Sequence, residues 1–272
     1  VNFLRFFVTG LLVLPLMTQA AELRVDTNHG STIYRTETLL QRPDVRTVTI
    51  PDDVAFHGTM HYRAVPLTAL LPGVGVSDHL QFTALDGFVA EIPAALLLQH
   101  GGSEAWLAID DPAHPWPALG ESHGGAGPFY VVWTRPRVGN INPEQWPYQV
   151  AAIRVLPPVT SRFPAIQPAA SLPAGSPIRR GFSVFQRTCF ACHTLNGEGA
   201  ATLGPDLNVP HSPTEYLRAD LLRGFIRNPQ SLRQWPQARM PAFSEKTLSD
   251  ADLDAVLDYL KHMAARRRSA EK

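Results

Sequence analysis

Residues 189–193 read Cys-Phe-Ala-Cys-His, and this run holds both cysteines of the chain. Two thiols at that spacing can each add to one vinyl group of a haem. The histidine directly after the second thiol then sits beneath the iron as an axial ligand. Three other chemistries use the same residue types. A zinc site needs two more ligands at ordered spacing, and no second cysteine pair exists. A thioredoxin-like dithiol expects a βαβ setting, whereas this pair follows a helical pattern. A plain disulfide suits an exported chain but gives His193 no part. One covalent haem c on Cys189 and Cys192, ligated by His193, uses all three residues.

A second axial ligand has to come from elsewhere. Beyond the first twenty residues the methionines are Met60, Met240 and Met263. Met60 lies in the other half of the chain. Met263 extends the stripe Val256, Leu260 at helical spacing and reads as core. Met240 stands in the loop Arg239-Met240-Pro241-Ala242-Phe243, where a thioether is free to reach a metal, so it is the expected ligand. His211 or an open position are the alternatives. His plus Met saturates the iron and raises its reduction potential, which leaves one-electron transfer as the chemistry. An open position would instead suit a haem-based sensor. Arg218, Arg223, Arg227, Arg233 and Arg239 could face haem propionates or a partner's carboxylates, or form a solvated helix face.

The elements around these residues are helical. Ile178–Thr188 carries Phe182 and Phe185 on one side. Ser212-Pro213-Thr214-Glu215 has the form of a capping box with proline in the first helical position, opening a helix through Phe225 that Asn228-Pro229 stops. Ser249, with Asp252 three residues on, starts a last helix whose stripe is Leu253, Val256, Leu257 and Leu260. Three or four short helices make a small core for roughly 90 residues, and a haem would fill its middle.

Before residue 157 the pattern is that of strands: Thr47–Ile50, Leu80–Leu85, Phe88–Ile92, Ala105–Ile109, Phe129–Trp133 and Val150–Val155. Asp86-Gly87 signals a two-residue hairpin turn, and Pro93–Gln99 a short helix. The chemistry-bearing residues here have plain readings. His57 and His61 are four apart but sit where a helix is not expected, so a metal pair is disfavoured. Asp110-Asp111-Pro112 reads as a turn. His123 in the run Gly120–Gly127 reads as a surface loop, with an anion pocket as the alternative. Trp106, Trp116, Phe129, Tyr130, Trp133 and Trp146 read as packing.

The expected organisation is a signal peptide over 1–21, a β-rich domain over 22–156, a Pro-rich linker over 157–177, a helical domain over 178–265 and a basic tail over 266–272. Arg5, the apolar run Phe6–Met17 and the small residues Thr18, Ala20 and Ala21 give the leader layout. They point to the periplasm, with an uncleaved anchor as the alternative. The linker PPVTSRFPAIQPAASLPAGSP is expected to be extended and semi-stiff. Lys plus Arg and Asp plus Glu each number 24. That balance sets up no net field toward nucleic acid, and membrane contact is expected only through a partner or an anchor.

The segment Ile178–Met263 resembles a class I cytochrome c domain. The resemblance rests on Gly181 and Phe185, CFACH, Leu203-Gly204-Pro205-Asp206-Leu207, Met240-Pro241 and Tyr259-Leu260. It implies an all-α fold in which the first and last helices cross at Gly181, Phe185, Tyr259 and Leu260. It also implies a Gly-Pro loop holding the proximal side near His193, and His193/Met240 ligation. The half from Glu22 to Leu156 resembles the molybdopterin-binding domain of the sulfite oxidase family, an α+β, mostly β fold. The matching stretches are Tyr62–Leu67, the hairpin at Asp86-Gly87, Ala105–Asp110, His123-Gly124-Gly125 and Val150–Leu156. In that family a cysteine thiolate binds molybdenum, and this domain has no cysteine, so molybdopterin is not expected and no catalytic residue is assigned. The implied function is single-electron transfer between redox proteins, such as a periplasmic dehydrogenase or a membrane oxidase, with the first domain as a docking or binding module. A molybdenum-dependent dehydrogenase with its own cytochrome acceptor is the alternative.

Overall fold

The computed structural model describes residues 21–99, 102–119, 125–235 and 237–268. The leader expectation and His123 therefore lie outside the described residues. The strands are β1 (Glu22–Thr27), β2 (Gly30–Arg35), β3 (Arg46–Ile50), β4 (Met60–Pro66), β5 (His79–Ala84), β6 (Val89–Pro93), β7 (Glu104–Ile109), β8 (Phe129–Thr134) and β9 (Val150–Leu156). They form a five-stranded sheet, β2-β1-β9-β5-β6, and a four-stranded sheet, β3-β4-β7-β8. β9 lies parallel to β1 and antiparallel to β5, so the last strand closes the first sheet through its middle. Leu23, Leu80, Phe82 and Ile153 from one sheet share a single core with Tyr62, Leu107, Tyr130 and Trp133 from the other.

Two short helices accompany the sheets, α1 (Thr36–Leu40) and α2 (Ala94–Leu97). The helix expected over Pro93–Gln99 is thus a single turn. Pro93 ends β6 with extended backbone, and Leu98 already leaves helical geometry. The hairpin also differs from the expected two-residue turn. Gly87 N–H donates to the Ala84 carbonyl at 3.3 Å and Ala84 N–H to the Phe88 carbonyl at 2.9 Å. Leu85 and Asp86 make the turn while Gly87 takes φ +94° behind it, which is the three-residue, glycine-bulge form.

The segment 157–177 is not an extended spacer. Val159–Arg162 forms α3, Pro164–Ile166 is a 3-10 turn, and Val159 and Ile166 are buried in the helical core. Composition cannot show that these two apolar residues have a core to join. Polar ties hold the rest: Ala169 N–H donates to His262 Nε2 at 3.1 Å, and Arg179 donates to the Ala170 and Leu172 carbonyls. Arg162 reaches back to the β domain, where Glu91 accepts at 2.6 Å.

The helices that follow are α4 (Pro177–Thr188), α5 (Pro213–Tyr216), α6 (Ala219–Arg227) and α7 (Asp250–Ala264). Ser176, Ser212 and Ser249 cap α4, α5 and α7 with their side chains. The single helix expected from Pro213 to Phe225 is two helices. Leu217 and Arg218 are extended, Leu217 packs on the helical core, and Arg218 starts α6 afresh. Both are good helix formers, so local propensity gives no warning of a break made by packing. α4 crosses α7 at Gly181. A Cβ there would stand 1.9 Å from the Ala255 carbonyl oxygen, and Phe185 meets Tyr259 with ring centroids 5.2 Å apart. The tail begins docked, with Arg267 donating to the Asn208 carbonyl at 2.7 Å and paired with Glu215. No helix among the described residues is long and apolar enough to cross a membrane.

Candidate haem site

The first turn after α4 presents the Cys-Phe-Ala-Cys-His run. Cys189 N–H and Phe190 N–H both donate to the Phe185 carbonyl, and His193 N–H donates to the Cys189 carbonyl, so the run coils tightly on the helix end. Phe190 and Ala191 are buried, Phe190 against the rings of Phe185 and Phe163. The two thiols are left half-buried and unbridged. Burial, aided by the nearby Glu144 carboxyl, pushes each up to about 12. A dithiol redox centre needs the opposite, a thiol whose pKa is lowered until thiolate is abundant.

His193 is oriented by the Gly-Pro loop. Its Nδ1 lies 2.8 Å from the Pro205 carbonyl oxygen, which can only accept, so Nδ1 carries the proton and Nε2 is left with a free lone pair. Burial holds the imidazole below its ordinary pKa, keeping it neutral at physiological pH, although the Pro205 contact works against this. Gly204 is in place because its N–H donates to the Cys192 carbonyl at 2.7 Å. A Cβ on Gly204 would come within 2.6 Å of the His193 ring. Behind it Asp206 accepts from Thr194, Gly197, Asn208 and Val209, which locks the loop to the segment after the histidine.

Met240 lies in the stretch between α6 and α7, half-buried against the same core cluster as Cys189. Phe243 N–H donates to the Ile226 carbonyl at 3.2 Å, and Arg227 donates to the Phe243 and Leu248 carbonyls, so the part of that stretch after Met240 is tied back to α6. These groups fit a covalently held haem: two unbridged thiols, a neutral imidazole with Nε2 free, a side-chain-free approach at Gly204 and a thioether on the same core. Residues 178–264 match the family model for cytochrome c. This part of the chain is a cytochrome c domain. A comparison with curated proteins finds no match for the chain.

The remaining candidates fall where packing, not chemistry, uses them. Met263 is buried in the helical core, and Met60 packs on the β core. His57 sits in a loop at φ 54°, while His61 is on β4 with Nδ1 3.0 Å from Thr49 Oγ1, so the two do not form a pair. Asp111 makes a turn, accepting from Ala113 N–H, and Asp110 accepts from Trp116 N–H. Among the described residues no group of three His, Cys, Asp or Glu side chains is placed to hold a metal ion. Of the arginines, Arg218 pairs with Asp220, Arg223 and Arg227 pair with Asp250, and Arg233 lies over the Trp235 ring.

The β domain is itself part of the site's surroundings, which no sequence signal shows. Val89 N–H donates to the Ala191 carbonyl at 2.9 Å, and Thr202 N–H to the Gly87 carbonyl at 3.1 Å. The 3-10 turn Pro143–Gln145 packs against α4. Tyr148 follows it; burial raises the pKa of its phenol, as do the charges of Asp86 and Cys192, while Arg239 lowers it. Glu144, Tyr148 and Asp86 thus surround the thiols from the other domain.

Proposed function

We propose that this chain is a periplasmic monohaem c-type cytochrome that passes single electrons between redox proteins. The β domain serves as its docking or binding module. The observation that carries the reading is the Cys-Phe-Ala-Cys-His run with His193 turned by Pro205 so that Nε2 is free. Bound to Cys189 and Cys192, a haem supplies a one-electron couple. His193, oriented by Pro205 and given room by Gly204, and Met240 would ligate its iron. The hairpin and the Pro143–Gln145 turn cover part of the cysteine side. With both axial positions filled by the protein, electron transfer is the function that remains.

Export to the periplasm is supported by the layout of Arg5, Phe6–Met17 and the small residues after it. For the β domain we favour the fold of the sulfite oxidase family's molybdopterin-binding domain used without molybdenum. The absence of cysteine between residues 22 and 156 supports this, since a fold does not bring its function without its site. The partners proposed are a periplasmic dehydrogenase as donor and a membrane oxidase or second carrier as acceptor.

Metal analysis of protein purified from a periplasmic extract tests the reading. One iron per chain and no molybdenum is the expected result. Absence of iron would overturn the cytochrome, and stoichiometric molybdenum would make the chain a molybdenum-dependent dehydrogenase with its own acceptor.

A further inference from the structure

We propose that Glu144, a residue of the β domain, takes up a proton when the haem iron of the cytochrome domain takes up an electron. The inference rests on the haem reading above and adds a residue that the cytochrome fold does not contain.

Glu144 lies in the 3-10 turn Pro143–Gln145, which Asn142 and Gln145 fix by a reciprocal cap in which Asn142 N–H donates to Gln145 Oε1 at 2.9 Å. The turn is wedged between β6 and α4, so its carboxyl enters the joint between the domains. Oε2 is buried with no hydrogen-bond partner among the described residues. A buried carboxylate oxygen left that way penalises the ionised form and raises the group's proton affinity. Burial pushes this carboxyl up to about 7, with its own backbone N–H and Arg187 opposing. The group is therefore balanced between its two forms in the neutral range, where a small change in local charge decides between them.

The charges around it come from each packed element. On α4, Arg187 is paired with Asp252 at 3.3 Å, so its charge is shared. Just past α4, Cys189 and Cys192 both feel Glu144. Once bonded to haem they no longer titrate. On β6, Glu91 is already held by Arg162 at 2.6 Å and faces His79. Asp86, at the hairpin, acts on Cys192 and on Tyr148. A haem carried on Cys189 and Cys192 brings the iron's charge into this joint. Reduction removes one positive charge there, and in a low-dielectric setting the nearby carboxylate then binds its proton more tightly. The balance is simple: one electron arrives from a one-electron redox partner, and one proton passes from solvent to the Glu144 carboxylate. No other bond forms or breaks.

Such a group makes the potential fall as pH rises between its proton affinities in the two oxidation states. A tenfold difference between those affinities corresponds to about 59 mV for one electron. The experiment is a spectroelectrochemical titration of the full-length haem protein across the neutral range, beside Glu144→Gln. Wild type is expected to show a downward inflection near neutrality, and Glu144→Gln to lose it with an unchanged visible spectrum. An inflection that survives in Glu144→Gln would assign the proton to the haem propionates and overturn the proposal. A second readout needs no variant. The reduced-minus-oxidised infrared difference spectrum should gain the carbonyl stretch of a protonated carboxylic acid, and its absence would equally overturn the proposal. The pyridine haemochrome spectrum separates the two levels. If it lacks the c-type signature, the haem reading fails. If that signature is present but the potential is independent of pH, only the role of Glu144 fails.

Discussion

Val89 donates its backbone N–H to the carbonyl of Ala191 at 2.9 Å, so a β-hairpin of the first domain hydrogen-bonds into the Cys-Phe-Ala-Cys-His run itself. The bond ties the start of β6 to that run across about a hundred residues of chain. The thiol side of the cytochrome domain is thus met by protein from its own chain.

The most exposed weakness of that joint is Gly87. It sits at φ +94°, a conformation that side-chain-bearing residues avoid, and a Cβ there would lie 2.3 Å from Thr202 Oγ1. Its carbonyl also accepts from Thr202 N–H, so moving Gly87 breaks the second interdomain bond. Gly87→Val is expected to cost about 1–3 kcal/mol in strain and to loosen the two domains. Urea unfolding would show the loss, and limited proteolysis should cut faster within residues 157–177. Unchanged stability and cleavage would mean that the hairpin tip bears no interdomain strain.

Glu91 and Arg162 form the buried ion pair between the β domain and α3, at 2.6 Å. Burial alone would raise the pKa of Glu91, but the close His79 imidazole and hydrogen bonds from Arg162 and Gln81 together hold it below the ordinary value of 4.5. A carboxyl whose folded pKa is depressed stabilises the protein above the unfolded pKa and loses that contribution as pH falls through the folded one. The pair therefore matters at neutral pH and fades below about pH 4.5. Arg162→Ala is expected to cost about 3 kcal/mol at neutral pH, because it takes the guanidinium partner from a buried carboxylate, and clearly less under acid conditions. Denaturant titrations at the two pH values check both the size and the sign.

The parts of the fold that the sequence makes legible are those whose cause is local. The Cys-Phe-Ala-Cys-His run, the caps at Ser212 and Ser249 and the stripe Leu253, Val256, Leu260 each depend on neighbours within a few residues. The β2 strand is not legible because almost every residue in it is exposed, so it has no alternation to read. The break at Leu217–Arg218 and the folding of 157–177 come from packing on a core assembled from distant segments. Glu144 is hidden for the same reason: in Asn142-Pro143-Glu144-Gln145 it is an ordinary capped turn, and its carboxyl is buried only by the approach of β6 and α4.

Gly204 and His193 give a test of the proximal side. A Cβ at Gly204 would stand 2.6 Å from Cε1 of His193 and 2.7 Å from Nδ1, the atom that faces the Pro205 carbonyl. Gly204→Ala is expected to turn the imidazole or push the loop away, weakening the Nδ1–H bond that orients Nε2. In the haem protein this should lower thermal stability and alter the ligand-sensitive bands of the visible spectrum. A variant with wild-type melting and spectrum would show that the loop yields freely and does not position the histidine.

The proposed role of Met240 has a test of its own. The residue sits half-buried against the same core as Cys189, just before a segment tied to α6 through Phe243 and Arg227. If its thioether is the sixth ligand, Met240→Ala opens that position while leaving the cysteine attachments and His193 in place. The reduction potential should fall, since thioether ligation favours reduced iron. The reduced variant should also bind carbon monoxide, which the wild type should not. Wild-type protein that binds carbon monoxide readily would point to an open or labile position and favour a sensor. A Met240→Ala protein with unaltered spectrum and potential would move the ligand elsewhere, with His211, exposed just before α5, as the next residue to substitute.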